Sequence, residues 1–126
     1  MAESMEIQFF EEKCRTLTEE KEIRFAGIIN AKGQLVAGGF KEGLAPLAEN
    51  ESKLNDFMEF ASRISLRKEF DKTLGPINYL AARRDKIVLI SFPFPVSNFV
   101  LLISAEPTVE IENVAKKVVS IFTNVS

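Results

Sequence analysis

Few side chains in this sequence could do chemistry, and their spacing limits what that chemistry is. There is no histidine among the 126 residues. That removes Ser-His and Cys-His nucleophilic catalysis, imidazole acid–base work and every zinc site built on histidine. The single cysteine, Cys14, cannot form an internal disulfide or a thiolate zinc site. It falls in helical register with apolar neighbours and no basic partner is identifiable for it, which fits a buried, inert thiol rather than a nucleophile. Gly38 and Gly43 have the G-x-x-x-x-G spacing of a phosphate loop after a strand. Leu44-Ala45 stands where Lys-Ser/Thr would have to hold the terminal phosphate and Mg²⁺, so no nucleotide site is expected. The glycines are better explained by a bulge and a tight strand exit. Glu3, Glu6, Glu11, Glu12, Glu19, Glu20 and Glu22 make the N-terminal region acidic. They are spread over a helix surface without the glycine-turned loop of a hard-cation site. No catalytic residue, metal site or cofactor is therefore expected.

The remaining charged feature is basic: Arg63, Arg67, Lys68, Arg83, Arg84 and Lys86. They form one patch if the helix carrying the first three ends near the turn carrying the others. The simpler account of the helical set is that cations near a helix C-terminus complement its dipole. The formal net charge of -2 and the absence of basic-aromatic interleaving speak against nucleic acid. The acidic N-terminus lacks a signal-peptide pattern, and the one cysteine fits a reducing compartment, so the cytoplasm is expected. The longest apolar region, Ile87 to Ile103, is broken by Pro93, Pro95, Ser97 and Asn98, and reads as two strands rather than a membrane helix.

The elements that must position these residues follow from periodicity. Glu3 to Glu20 is helical, with Met5, Phe9, Cys14 and Leu17 near one stripe and Phe10 beside it. Arg24 to Phe40, RFAGIINAKGQLVAGGF, is a hairpin turning at Asn30-Ala31-Lys32-Gly33. Its first strand, Glu22 to Asn30, is apolar on both faces and reads as central. Its second, Gln34 to about Gly39, ends in glycines and suits an edge or a bulge. After a loop from Lys41 to Asn50, Leu54, Phe57, Met58, Ala61 and Ile64 define an amphipathic helix reaching about Phe70, with Gly75-Pro76 as its stop. Strands are expected at Ile77 to Arg83, Ile87 to Phe92 and Asn98 to Ser104. Thr108 is expected to cap the last helix, whose stripe is Ile111, Val114, Ala115, Val118, Ile121 and Phe122. Phe94, between Pro93 and Pro95, either folds back on the core or stands out as an apolar anchor. The whole chain, 1–126, reads as one α+β domain of order α-β-β-α-β-β-β-α.

That order resembles the roadblock/dynein light chain family within the profilin-like folds. More locally, RFAGIIN-x-x-G-x-LVAGG, the following EG-x-x-PL (Glu42, Gly43, Pro46, Leu47) and SAEP at Ser104 to Pro107 resemble a family of small uncharacterised proteins from ammonia-oxidising archaea. The roadblock resemblance implies a five-stranded antiparallel sheet ordered 2-1-5-4-3 with helices packed on it. It also implies homodimers or heterodimers joined edge to edge through the third strand and second helix, here Ile77 to Arg83 and Leu54 to Phe70. Proteins of that family are scaffolds and regulators of small GTPases and motors, not enzymes. The resemblance thus points to a protein partner or a second copy of the chain, bound through Arg63, Arg67, Ile77, Tyr79, Arg83 and Arg84. Arg83-Arg84 at the strand end are charges of the kind that discourage edge pairing. Profilin-like sheets also resemble sensor domains that hold small molecules, for which Asn78, Tyr79 and Asn98 are the polar candidates.

Overall fold

The computed structural model describes residues 2–44, 63, 69–94 and 97–123. Its elements are α1 (Ala2–Thr18), β1 (Ile23–Ile29), β2 (Leu35–Phe40), the short α2 (Asp71–Leu74), β3 (Leu80–Arg83), β4 (Val88–Pro93), β5 (Val100–Ala105) and α3 (Ile111–Thr123). The five strands form one antiparallel sheet in the order β2-β1-β5-β4-β3. The helix expected from Leu54 lies outside the described residues except for Arg63, which is helical, and for its end. That end is not continuous: Glu69-Phe70 is a turn, and α2 then runs to Leu74. Gly75 stops it in the left-handed region at φ 84°, where a side chain would be strained.

The hairpin turn is built as its residues dictate. Asn30 Oδ1 accepts bonds from the Lys32 and Gln34 amides at 2.9 and 3.0 Å, while Gly33 takes φ 79° and donates to the Asn30 carbonyl. The register then slips between Ile28 and Ile29, leaving Val36 as the extra residue of a bulge on the edge strand β2. β1 is buried along nearly its whole length and lies between β2 and β5, as its two apolar faces require.

One face of the sheet carries Ala26, Ile28, Ile90, Leu101 and Ile103 against Phe10, Cys14 and Leu17 of α1 and Val114 and Val118 of α3. The i, i+4, i+7 spacing of Phe10, Cys14 and Leu17 makes them one stripe. Met5, expected on that stripe, is 71% exposed. Phe94 folds inward: its ring stacks on Phe10 at 5.7 Å and meets Phe122 edge-on at 5.4 Å. The opposite face carries Phe25, Ile29, Val100 and Leu102, all buried, with Phe40 packed on Phe25 at 4.8 Å.

Thr108 does not cap α3. Its hydroxyl bonds Glu22, and α3 starts three residues later, with the Glu110 carbonyl receiving the first amides, those of Asn113 and Val114. The Glu110 carboxylate accepts from the Asn113 side-chain amide at 2.7 Å. The SAEP segment between β5 and α3 is thereby tied to the start of β1. Glu106 N–H donates to the Glu22 carbonyl at 2.8 Å, and the Glu106 carboxylate pairs with Arg24 at 2.9 Å.

Candidate interaction edge

β3 is the last strand of the sheet. Among the described residues it pairs with β4 alone, from Leu80 opposite Ser91 to Arg83 opposite Val88. All four of its residues are exposed. It is shorter than the expected strand: Ile77, Asn78 and Tyr79 are outside it, because ladder pairing with β4 begins only at Leu80 opposite Ser91. Alternation along a sequence cannot separate a paired strand from an unpaired extended lead-in. Between Ile77 and Ala82 there is no charged residue. The chain entering the strand exposes Phe70 (63%) and Leu74 (77%), and Leu80 is exposed on the strand itself. Phe70 is out of phase with the Leu54–Ile64 spacing, the one sequence signal that it would not share that stripe.

The arginine at the strand end does not guard the edge. Ala81 and Arg83 share the α1/α3 face of the sheet with their partners Ile90 and Val88. The Arg83 guanidinium donates to the Val109 carbonyl at 2.8 Å and to the Pro107 carbonyl. Its charge is thus drawn onto the β5–α3 connection and away from the free backbone of β3. Arg83→Ala leaves two carbonyls without their donor and should destabilise the fold by about 1–3 kcal/mol, read as a lower denaturation midpoint with an unchanged slope. Arg84 is exposed in the turn, where its amide donates to the Ile87 carbonyl at 2.9 Å.

Tyr79 lies against Phe92, with ring centroids 5.8 Å apart, and its hydroxyl donates to the Glu112 carboxylate at the start of α3. That hydrogen bond, then burial and the carboxylate charge, raises the phenol above its ordinary range. Asn78 and Asn98 are exposed, so the polar residues named for a small-molecule cavity do not converge on one. Of the basic set, Arg83, Arg84 and Lys86 share one turn and Arg63 is an exposed helical residue, whereas Arg67 and Lys68 lie outside the described residues. Burial, and secondarily the Glu11 carboxylate, pushes the Cys14 thiol up to about 12. It is inert at neutral pH. Among the described residues no group of acidic or cysteine side chains is placed to hold a metal ion, and no helix is long and apolar enough to cross a membrane.

Comparison with known proteins agrees with this geometry. Residues 1–124 match the model of a family described as "Family of unknown function (DUF6659)". No curated protein matches. Among solved structures, the chain is similar to a roadblock/LC7 domain from Streptomyces avermitilis, with TM-score 0.66 and 13% identity over 91% of this chain and 92% of that one. It is also similar to Myxococcus xanthus MglB, with TM-score 0.60 and 13% identity over 96% and 92%. The gliding protein MglB from Thermus thermophilus has TM-score 0.57 and 14% identity over 88% and 89%. A further similar structure is described as MglB with tetrameric arrangement (TM-score 0.59, 13% identity, 90% and 89% covered). The fold is the roadblock/LC7 fold, with its five-stranded antiparallel sheet and helices.

Proposed function

The chain belongs to this family of unknown function, and on that premise we propose that it is a non-enzymatic interaction or regulatory scaffold module. It acts in the cytoplasm and pairs through β3 with a second copy or with a protein partner, a small GTPase being the class the roadblock resemblance implies. The archaeal relatives that RFAGIIN-x-x-G-x-LVAGG resembles would share this role.

The observation that carries the reading is the state of β3. It ends the sheet, its residues are exposed, no charge lies between Ile77 and Ala82, and Arg83 is turned onto Pro107 and Val109. Such an edge offers backbone donors and acceptors unpaired among the described residues, with Leu80, Phe70 and Leu74 as apolar contacts beside them. A similar structure described as a tetrameric arrangement supports assembly through this fold.

Sedimentation should show a dimer. The double variant Leu80→Glu/Ala82→Glu places like charges along the same edge of both copies and should weaken association at least roughly tenfold, giving monomer with unchanged circular dichroism. A wild-type chain that stays monomeric at high concentration would overturn pairing of the edge with a second copy.

A further inference from the structure

The other end of the sheet holds a feature that this reading does not use. β2 pairs only with β1, so its outer backbone edge is free among the described residues. Beside it, α1 overhangs a groove of about 540 Å³ lined by Glu11, Cys14, Arg15, Thr18 and Glu19 from the helix and by Gly38 to Glu42 from the strand end. The floor is open at Gly39, which carries no side chain. A Cβ placed on Gly39 would meet nothing within 4 Å.

We propose that this groove takes an extended, basic peptide segment of a partner protein, laid antiparallel or parallel along the free edge of β2, with lysine or arginine side chains reaching the carboxylates of Glu11, Glu19 and Glu42. Three observations converge on that occupant. The strand Leu35–Phe40 contains no charge and no proline, the usual devices that close an edge to an added strand. Gly39, with open space where a side chain would stand, lets a second backbone approach without steric obstruction. The uncommitted charge is net negative. Lys41 is held by the Glu20 and Lys21 carbonyls at 2.8 and 3.0 Å, which leaves Arg15 alone against three carboxylates that make no ion pair among the described residues. Backbone pairing supplies affinity, and the carboxylates select the side chain.

The test is fluorescence anisotropy with a labelled, end-capped probe of about seven residues, the length of a strand, alternating valine and lysine. Saturable binding is expected. Gly39→Val fills the groove without a clash, and Glu19→Lys/Glu42→Lys reverses its charge at the surface; each should weaken binding at least roughly tenfold. The same probe N-methylated at alternate residues should lose binding, because it can no longer donate to the strand edge. Equal binding of a valine–glutamate probe, or unchanged affinity in both variants, would overturn the proposal. Competition by lysine amide as effective as the peptide would reveal a small-cation pocket and overturn the strand pairing. Sedimentation of both variants should match wild type, so failure here is distinguishable from failure at β3.

Discussion

Gly38→Val should be strongly destabilising. Gly38 lies in the left-handed region at φ 86°, where a β-branched residue is strained by about 1–3 kcal/mol. Its Cβ would also stand 2.2 Å from the Ala26 carbonyl oxygen and 2.9 Å from Cys14 Sγ. The first contact is with the backbone of a central strand and cannot be relieved by a rotamer change. Overlap of this kind adds about 1–3 kcal/mol, for a total on the order of 4 kcal/mol. With about 3–5 °C lost per kcal/mol in a domain of this size, the thermal midpoint should fall by about 12–20 °C. Gly39→Val is the control. Its Cβ points into open space, and its effect should stay within about 1 kcal/mol. Equal stability of the two variants would mean that α1 does not lie on β2 at Cys14.

The second large effect is alkaline. The folded Cys14 thiol titrates near 12, against 9.0 for the free side chain. Between those values the unfolded chain has lost a proton that the folded chain retains, so stability falls as pH rises. The contribution is whole below pH 9 and is lost progressively toward pH 12. Its limiting slope is about 1.4 kcal/mol per pH unit from this one group. Tyr79, also raised, acts in the same direction. Urea unfolding of wild type and Cys14→Ala across that range isolates the thiol: the variant should begin less stable and show a shallower decline. Parallel curves would mean that Cys14 is open to solvent.

The parts of the fold legible in the sequence are those where a local rule and a tertiary role coincide. Asn30 and Gly33 specify a turn by their own bonding and backbone freedom, and the structure has that turn. β1 reads as central because both faces are apolar, and both are buried. Cys14 reads as inert because of its register, and α1 lays it against Gly38. Met5 fails for an instructive reason. Period says which side of a helix an apolar residue is on, not how far the opposing surface extends. Thr108 fails because its hydroxyl had two uses, and bonding to Glu22 won over capping. The edge position of β3 followed from the roadblock resemblance, but the disposal of Arg83 did not, since its carbonyl acceptors lie on the β5–α3 connection. The groove beside β2 was invisible because it depends on the missing side chain at Gly39, which sequence shows only as backbone freedom.

The strand order also sets how the chain can assemble in time. β1 with β2, and β3 with β4 and β5, are meanders closed by nearby contacts. The seam between them is not: Ile29 pairs with Val100 and Ile23 with Ala105, across most of the chain. Closing that loop costs entropy before the buried β1–β5 contacts offset it. The two sub-sheets can form early and separately, while each still exposes the strand that will become the centre. Docking of β1 on β5 is therefore the step expected to limit refolding.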